Sequence, residues 1–100
     1  MYQLRQTEEF RDWLDELGDR RAQVRIAARL RLVEAGSLGD WRPVGRDVSE
    51  MRVDFGPGYR LYFTRRHDVL IVFLAGGDKS SQKRDILRAQ RIARQLELES

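Results

Sequence analysis

The chain opens on a weakly alternating stretch, YQLRQ at residues 2–6, that predicts a short strand, and then changes period. Phe10, Trp13, Leu14 and Leu17 recur at i, i+3, i+4 and i+7, the spacing of one helix face. Thr7 precedes them as an N-cap, with Glu8 and Glu9 in the first turn, where the helix dipole favours acids. Gly18 ends that helix and Asp19 caps a second over residues 20–35, whose buried stripe is Ile26, Ala27, Leu30 and Val33 and whose stop is Gly36. So short a link predicts an antiparallel helical hairpin.

Beyond residue 37 the period becomes two. SLGDWRPVG predicts a loop or an irregular edge strand, because Pro43 cannot donate to a ladder. Met51, Val53 and Phe55 alternate with Glu50, Arg52 and Asp54. After Gly56-Pro57-Gly58, Tyr59, Leu61 and Phe63 alternate with Arg60, Tyr62 and Thr64, so the segment predicts a β-hairpin. VLIVFLA at 69–75 is apolar on both faces and predicts a strand inside the sheet, with RRHD as its turn. A last helix runs from Ser80 or Ser81 to about Leu98, with Ile86, Ala89, Ala93 and Leu96 apolar and Lys83, Arg84, Arg88, Arg91 and Arg94 decorating the rest. The order β-α-α-β-β-β-β-α predicts a single α+β domain. Its helical hairpin and C-terminal helix pack on one face of a mostly antiparallel sheet of about four to five strands.

Composition narrows the chemistry. With no cysteine among 100 residues, disulfide scaffolds, CxxC zinc sites and thiol nucleophiles are excluded. The longest apolar run, Val69 to Ala75, falls far short of the ~18 to 20 residues of a membrane span. MYQLRQTEEFRDW carries charges where a secretory signal is apolar, so a cytoplasmic location is expected. Of 19 basic residues only Lys79 and Lys83 are lysine, leaving 17 arginines and a net charge of +3. The planar guanidinium fork suits phosphate or carboxylate, so the expected partners are a nucleic acid or an acidic protein. A genome that spells basic residues as arginine accounts for the bias equally well. The charge is also divided: six acids lie between Glu8 and Asp19, whereas Arg20, Arg21, Arg25, Arg29 and Arg31 follow without one.

Two segments hold candidate chemistry. Setting Phe55 opposite Tyr59 pairs Asp54 with Arg60, Val53 with Leu61, Arg52 with Tyr62 and Glu50 with Thr64. Glu50, Arg52, Asp54, Arg60 and Tyr62 then share the surface opposite the core. Such a patch suits phosphate binding or RNA cleavage, and equally an exposed hairpin laced with ion pairs. GGDKSSQ at 76–82 reads either as an anion site of backbone amides, helix N-terminus and Lys79, or as a strand-to-helix turn capped by Asp78 or Ser80. It is not a P-loop, since Asp78 stands where that motif needs glycine. His67, the sole histidine, sits at an expected hairpin tip. Trp13 belongs to the core, whereas Trp41, in a polar loop, is free to stack on a base or cover the sheet edge.

The succession FRDWLDEL, RIAARLRLVEAGSLGDWRPVG, VSEMRVDFGPGYRLYF and LAGGDKSSQKRDILRAQ resembles the RelE/ParE toxin superfamily, and within it the phage-derived, HigB-like addiction module killer proteins. The resemblance covers about residues 7–96 and is carried most specifically by GPGYRLYF together with GGDKSSQ. It implies the toxin of a type II toxin–antitoxin module, held in a hetero-oligomer by a helix-turn-helix antitoxin. RelE- and HigB-like members cleave messenger RNA in the ribosomal A site; ParE-like members inhibit DNA gyrase without enzymatic chemistry. Carried over by position, Arg60 matches the arginine on the scissile phosphate, Lys79 a second basic catalytic residue, and Arg52 a position that is often basic. Arg84, Arg88 and Trp41 are the further expected RNA contacts, and no cofactor or metal is implied. The chain departs from the pattern after Phe73, where it has no tyrosine or histidine for proton transfer. Glu50 and Tyr62 are the candidates for the missing base. A degenerate toxin that only binds its antitoxin is the third reading.

Overall fold

A computed structural model describes residues 1–99. In it Thr7 both starts a helix and fixes it to the sheet, since its hydroxyl accepts from the Phe10 N–H at 3.1 Å and donates to the Leu74 carbonyl at 2.7 Å. The elements are β1 (Gln3–Gln6), α1 (Glu8–Asp15), α2 (Arg20–Glu34), β2 (Trp41–Gly45), β3 (Val48–Val53), β4 (Tyr59–Arg66), β5 (Leu70–Asp78), a 3-10 turn (Lys79–Ser81) and α3 (Gln82–Glu99). The strands form one sheet in the order β1-β5-β4-β3-β2, with β1 parallel to β5 and the other neighbours antiparallel. The α+β class and the edge position of the Pro43 strand agree with the pattern in the sequence. The two helices of the hairpin sit on different strands: α1 rests on β5 and α2 over β3, and the Gln23 amide joins them through the Leu14 and Asp15 carbonyls.

The larger departure is that the helices do not share one face of the sheet. Phe10, Ile26, Leu30 and Val33 from α1 and α2 pack with Met51, Leu61, Phe63, Ile71 and Phe73 on one side. On the other, α3 brings Ile86, Ala89, Ala93 and Leu96 onto Val48, Tyr62, Val72, Leu74 and Ala75. The double-sided apolarity of β5 is the reason, because exposing either face would leave several large side chains in water at ~1.5 to 3 kcal/mol each. A bulge between Phe73 and Ala75 strengthens the second face, setting Leu74 and Ala75 together on the α3 side.

The β3–β4 register is also two residues from expectation. Val53 opposes Tyr59, Arg52 opposes Arg60, Met51 opposes Leu61 and Glu50 opposes Tyr62. Phe55 leaves the ladder because its carbonyl accepts from Gly58 N–H at 3.0 Å, closing a longer turn in which Gly56 and Gly58 adopt φ of 54° and 81°. A slip of two preserves which side chains share a face. Glu50, Arg52, Arg60 and Tyr62 therefore stay together, but α3 covers much of what was expected to be open surface.

Candidate functional site

Beneath the first turns of α3 lies a cluster of polar side chains on the sheet. Glu50 is 0% exposed, and a carboxylate taken out of water persists only if its lone pairs are occupied. Its Oε1 accepts from Arg42 Nε at 3.1 Å and lies 3.7 Å from Arg60 Nε, while Oε2 accepts from Gln82 Nε2 at 2.8 Å. Arg60 is 8% exposed and donates from Nη1 to the Gly58 carbonyl at 3.3 Å. Its Nε is buried without a hydrogen-bond partner among the described residues. Asp85, 4% exposed, accepts from the Ser81 hydroxyl and lies against Gly77, the cross-strand neighbour of Arg60.

The packing bears on both expected bases. Burial, first, and then the nearby Glu50 and Asp85 carboxylates push the Tyr62 phenol well above the ordinary tyrosine range, with Arg60 acting in the opposite direction. A phenol so held is protonated at neutral pH and cannot take a proton from a ribose hydroxyl. Glu50 is surrounded by Arg42, Arg60 and Gln82, which occupy both of its oxygens. The Tyr62 shift carries a pH dependence of known sign. A raised folded pKa contributes stability that is fully present below the unfolded value of ~10 and is lost as pH rises through the folded value. Denaturant midpoints should therefore fall above about pH 10, and Tyr62→Phe should flatten that fall; an unchanged alkaline limb in Tyr62→Phe would contradict the assignment.

The remaining expected site residues separate into two groups. Arg52 opposes Arg60 on the same face, but its guanidinium pairs with Asp40 at 2.9 Å. Lys79 is exposed just past the Tyr59–Asp78 pair, two positions beyond Gly77, the residue opposite Arg60. Arg84 is exposed on α3. Arg88 is used structurally: Nη2 donates to the Gly76 carbonyl at 3.2 Å, and the side chain pairs with Asp85 at 3.6 Å and Glu9 at 3.9 Å. Trp41 packs edge-on to Phe63, opposite Met51, and so lies on the α1–α2 face away from Arg60. His67 occupies the β4–β5 turn, seven residues or ~23 Å of strand from Arg60.

The GGDK segment is a capped turn and not an anion loop. Gly76 and Gly77 are strand residues opposite Leu61 and Arg60. Glycine is required there because a Cβ at Gly76 would overlap the Trp13 ring and one at Gly77 the Asp85 carboxylate. Asp78 accepts from the Ser80 N–H at 2.8 Å and its hydroxyl at 2.5 Å, which fills the helix start with a carboxylate. Those bonds, the Ser80 hydroxyl first, hold the Asp78 pKa below its usual value.

Arg42, Gln82 and Asp85 were not singled out in the sequence. Period-two parity held the signal for Arg42, since β2 sets it opposite Glu50. Gln82 and Asp85 become visible only once α3 is placed over the sheet.

No helix of the described residues is long and apolar enough to cross a membrane. Residues 12–97 match the family model for phage-derived Gp49-like proteins (DUF891). An uncharacterized protein of Haemophilus influenzae is 40% identical over 96 residues, covering 96% of this chain and 97% of that protein. On the match of nearly the whole chain, the protein belongs to the phage-derived Gp49-like family.

Proposed function

We propose that the protein is the toxin of a toxin–antitoxin pair and that it cleaves messenger RNA on the ribosome, with Arg60 as the phosphate-binding catalytic residue. The observation that carries this reading is the state of Arg60: a guanidinium held by Glu50 at 3.7 Å and by the Gly58 carbonyl at 3.3 Å, on the same sheet face as Arg52. A cation fixed in advance suits charge that develops on a phosphorane. Lys79, exposed just past the end of β5, adds a second positive charge. In the reaction the ribose 2′-oxygen attacks phosphorus, its proton is removed, the P–O5′ bond breaks and the departing 5′-oxygen is protonated. The products are a 2′,3′-cyclic phosphate and a 5′-hydroxyl.

With Glu50 and Tyr62 withdrawn as bases, the ribosome's contribution is to align the 2′-hydroxyl for in-line attack, an effect worth up to ~7 to 11 kcal/mol in well-oriented systems. The partner that restrains the toxin is an acidic antitoxin of helix-turn-helix type, steered by the arginine faces. The same withdrawal of both bases favours a second reading, a non-enzymatic inhibitor of DNA gyrase.

Induced expression without the antitoxin, followed by mapping of messenger 5′ ends, tests both. Codon-phased cuts that vanish in Arg60→Lys and Arg60→Ala, with both variants folded by circular dichroism, are the expected result. Growth arrest with intact messages and lost supercoiling would replace the ribonuclease with the gyrase inhibitor. Growth without arrest would leave neither.

A further inference from the structure

At the other end of α3 a groove of about 530 Å³ opens between the β2–β3 turn, the end of β4 and the C-terminal half of the helix. Arg46, Arg66, Arg91 and Arg94 line it from these three elements. Arg65 also borders it, but its guanidinium turns away onto the Tyr2 ring and hydroxyl. The carboxylates in the lining are Asp47 and Glu97. Around the Arg60 cluster arginines are matched to acids: Arg42 and Arg60 to Glu50, Arg52 to Asp40, Arg88 to Glu9 and Asp85. No ion pair within 4.0 Å is made by Arg46, Arg66, Arg91 or Arg94 among the described residues. We infer that this groove is a binding site for the sugar-phosphate backbone of single-stranded nucleic acid, separate from the Arg60 cluster.

Three features favour that ligand. The groove is built in advance, because Gln90 on α3 donates to the Val44 and Gly45 carbonyls at 3.2 and 3.4 Å and so holds the helix to the β2–β3 turn. That turn places Arg46 and Asp47 at φ of 53° and 62°, left-handed positions where hairpins prefer Asn and Gly. A long cationic side chain kept in such a conformation points to a use for it. The charge is also extended: Lys83, Arg91 and Arg94 share one side of α3, with the uncharged Leu87 between them, over ~17 Å at 1.5 Å per residue from the Arg60 end into the groove. Guanidinium forks from three walls of one groove can each take a phosphate, and an extended polyanion supplies several where a compact acidic group supplies one. With no aromatic ring in the lining, the site should show little base preference.

The proposal does not depend on cleavage at Arg60, and its test keeps the two apart. A labelled single-stranded 12-mer with 2′-O-methyl riboses, which cannot be cleaved through the 2′-oxygen, is titrated with purified protein by fluorescence anisotropy over a range of salt. Arg91→Ala/Arg94→Ala should bind about tenfold more weakly and lower the slope of log K against log salt by about 1.4, ~0.7 per lost phosphate contact. Arg21→Ala/Arg31→Ala, which removes the same charge from α2, should stay within about twofold of the parent. Equal weakening in the two double variants would reduce the effect to net charge and overturn the site. Absence of oligomer binding, or displacement of the oligomer from the parent by a polyglutamate peptide at equal charge concentration, would overturn it in favour of a protein partner.

Discussion

Glu50→Ala is expected to remove about 3 to 5 kcal/mol of folding stability, the range for breaking a buried ion pair and leaving its partners uncompensated. The carboxylate is fully buried and serves Arg42, Arg60 and Gln82 at once. Without it, Arg42 can swing into water, but Arg60 stays desolvated beside a cavity. Against a total of ~5 to 15 kcal/mol for a domain, such a loss should move the urea midpoint severalfold more than any exposed pair. Asp40→Ala supplies the comparison. The Asp40–Arg52 bridge is as short, at 2.9 Å, but its side chains are 60% and 55% exposed, so its removal should cost under ~1 kcal/mol. Equal midpoints for the two variants would show that Glu50 does not organise the cluster. Glu50→Gln separates shape from charge: it should retain most of the fold while loosening Arg60 and reducing any cleavage that depends on it.

The second large effect belongs to Gly77. Its missing side chain lets α3 sit close to β5, since a Cβ there would overlap the Asp85 carboxylate. Asp85 cannot yield easily, being held by the Ser81 hydroxyl and by Arg88, which is itself tied to the Gly76 carbonyl. Gly77→Ala should therefore destabilise by about 3 kcal/mol, the upper part of the usual overpacking range. The cause is checked by a double-mutant cycle in urea. Gly77→Ala/Asp85→Ala should be more stable than the sum of its single changes by ~1 to 2 kcal/mol, because the second substitution opens the space the first needs. Strict additivity would show that the glycine is needed for something other than the approach of Asp85.

Much of the local architecture was legible because it depends on near neighbours. Thr7 and Asp19 cap the helices that follow them, and Gly18 takes the left-handed φ of 63° that a helix stop requires. Period-two alternation placed Glu50, Arg52, Arg60 and Tyr62 on one face correctly even though the register was two residues off. The turn was misjudged because a Phe55–Gly58 hydrogen bond competes with continuing the ladder, and alternation is blind to which of the two wins. Gly76 and Gly77 suggested a loop by composition. In the fold they are strand residues kept small by Trp13 and Asp85, partners 63 and 8 residues distant in the chain.

What the sequence by itself determined, then, was the set of elements, the sharing of faces within the hairpin and the concentration of arginine, all consequences of spacing and side-chain type. Tertiary structure alone decided that α3 lies on the face opposite α1 and α2, and that placement decides the chemistry. It buries Glu50 and Tyr62, making a candidate base into a clamp and a phenol into a weaker acid. It leaves Arg60 held beneath the helix and turns the far end of α3 into one wall of an arginine groove. The physical reason is that burial and pairing depend on what covers a residue, which is a property of the assembled layers and not of the chain's local pattern.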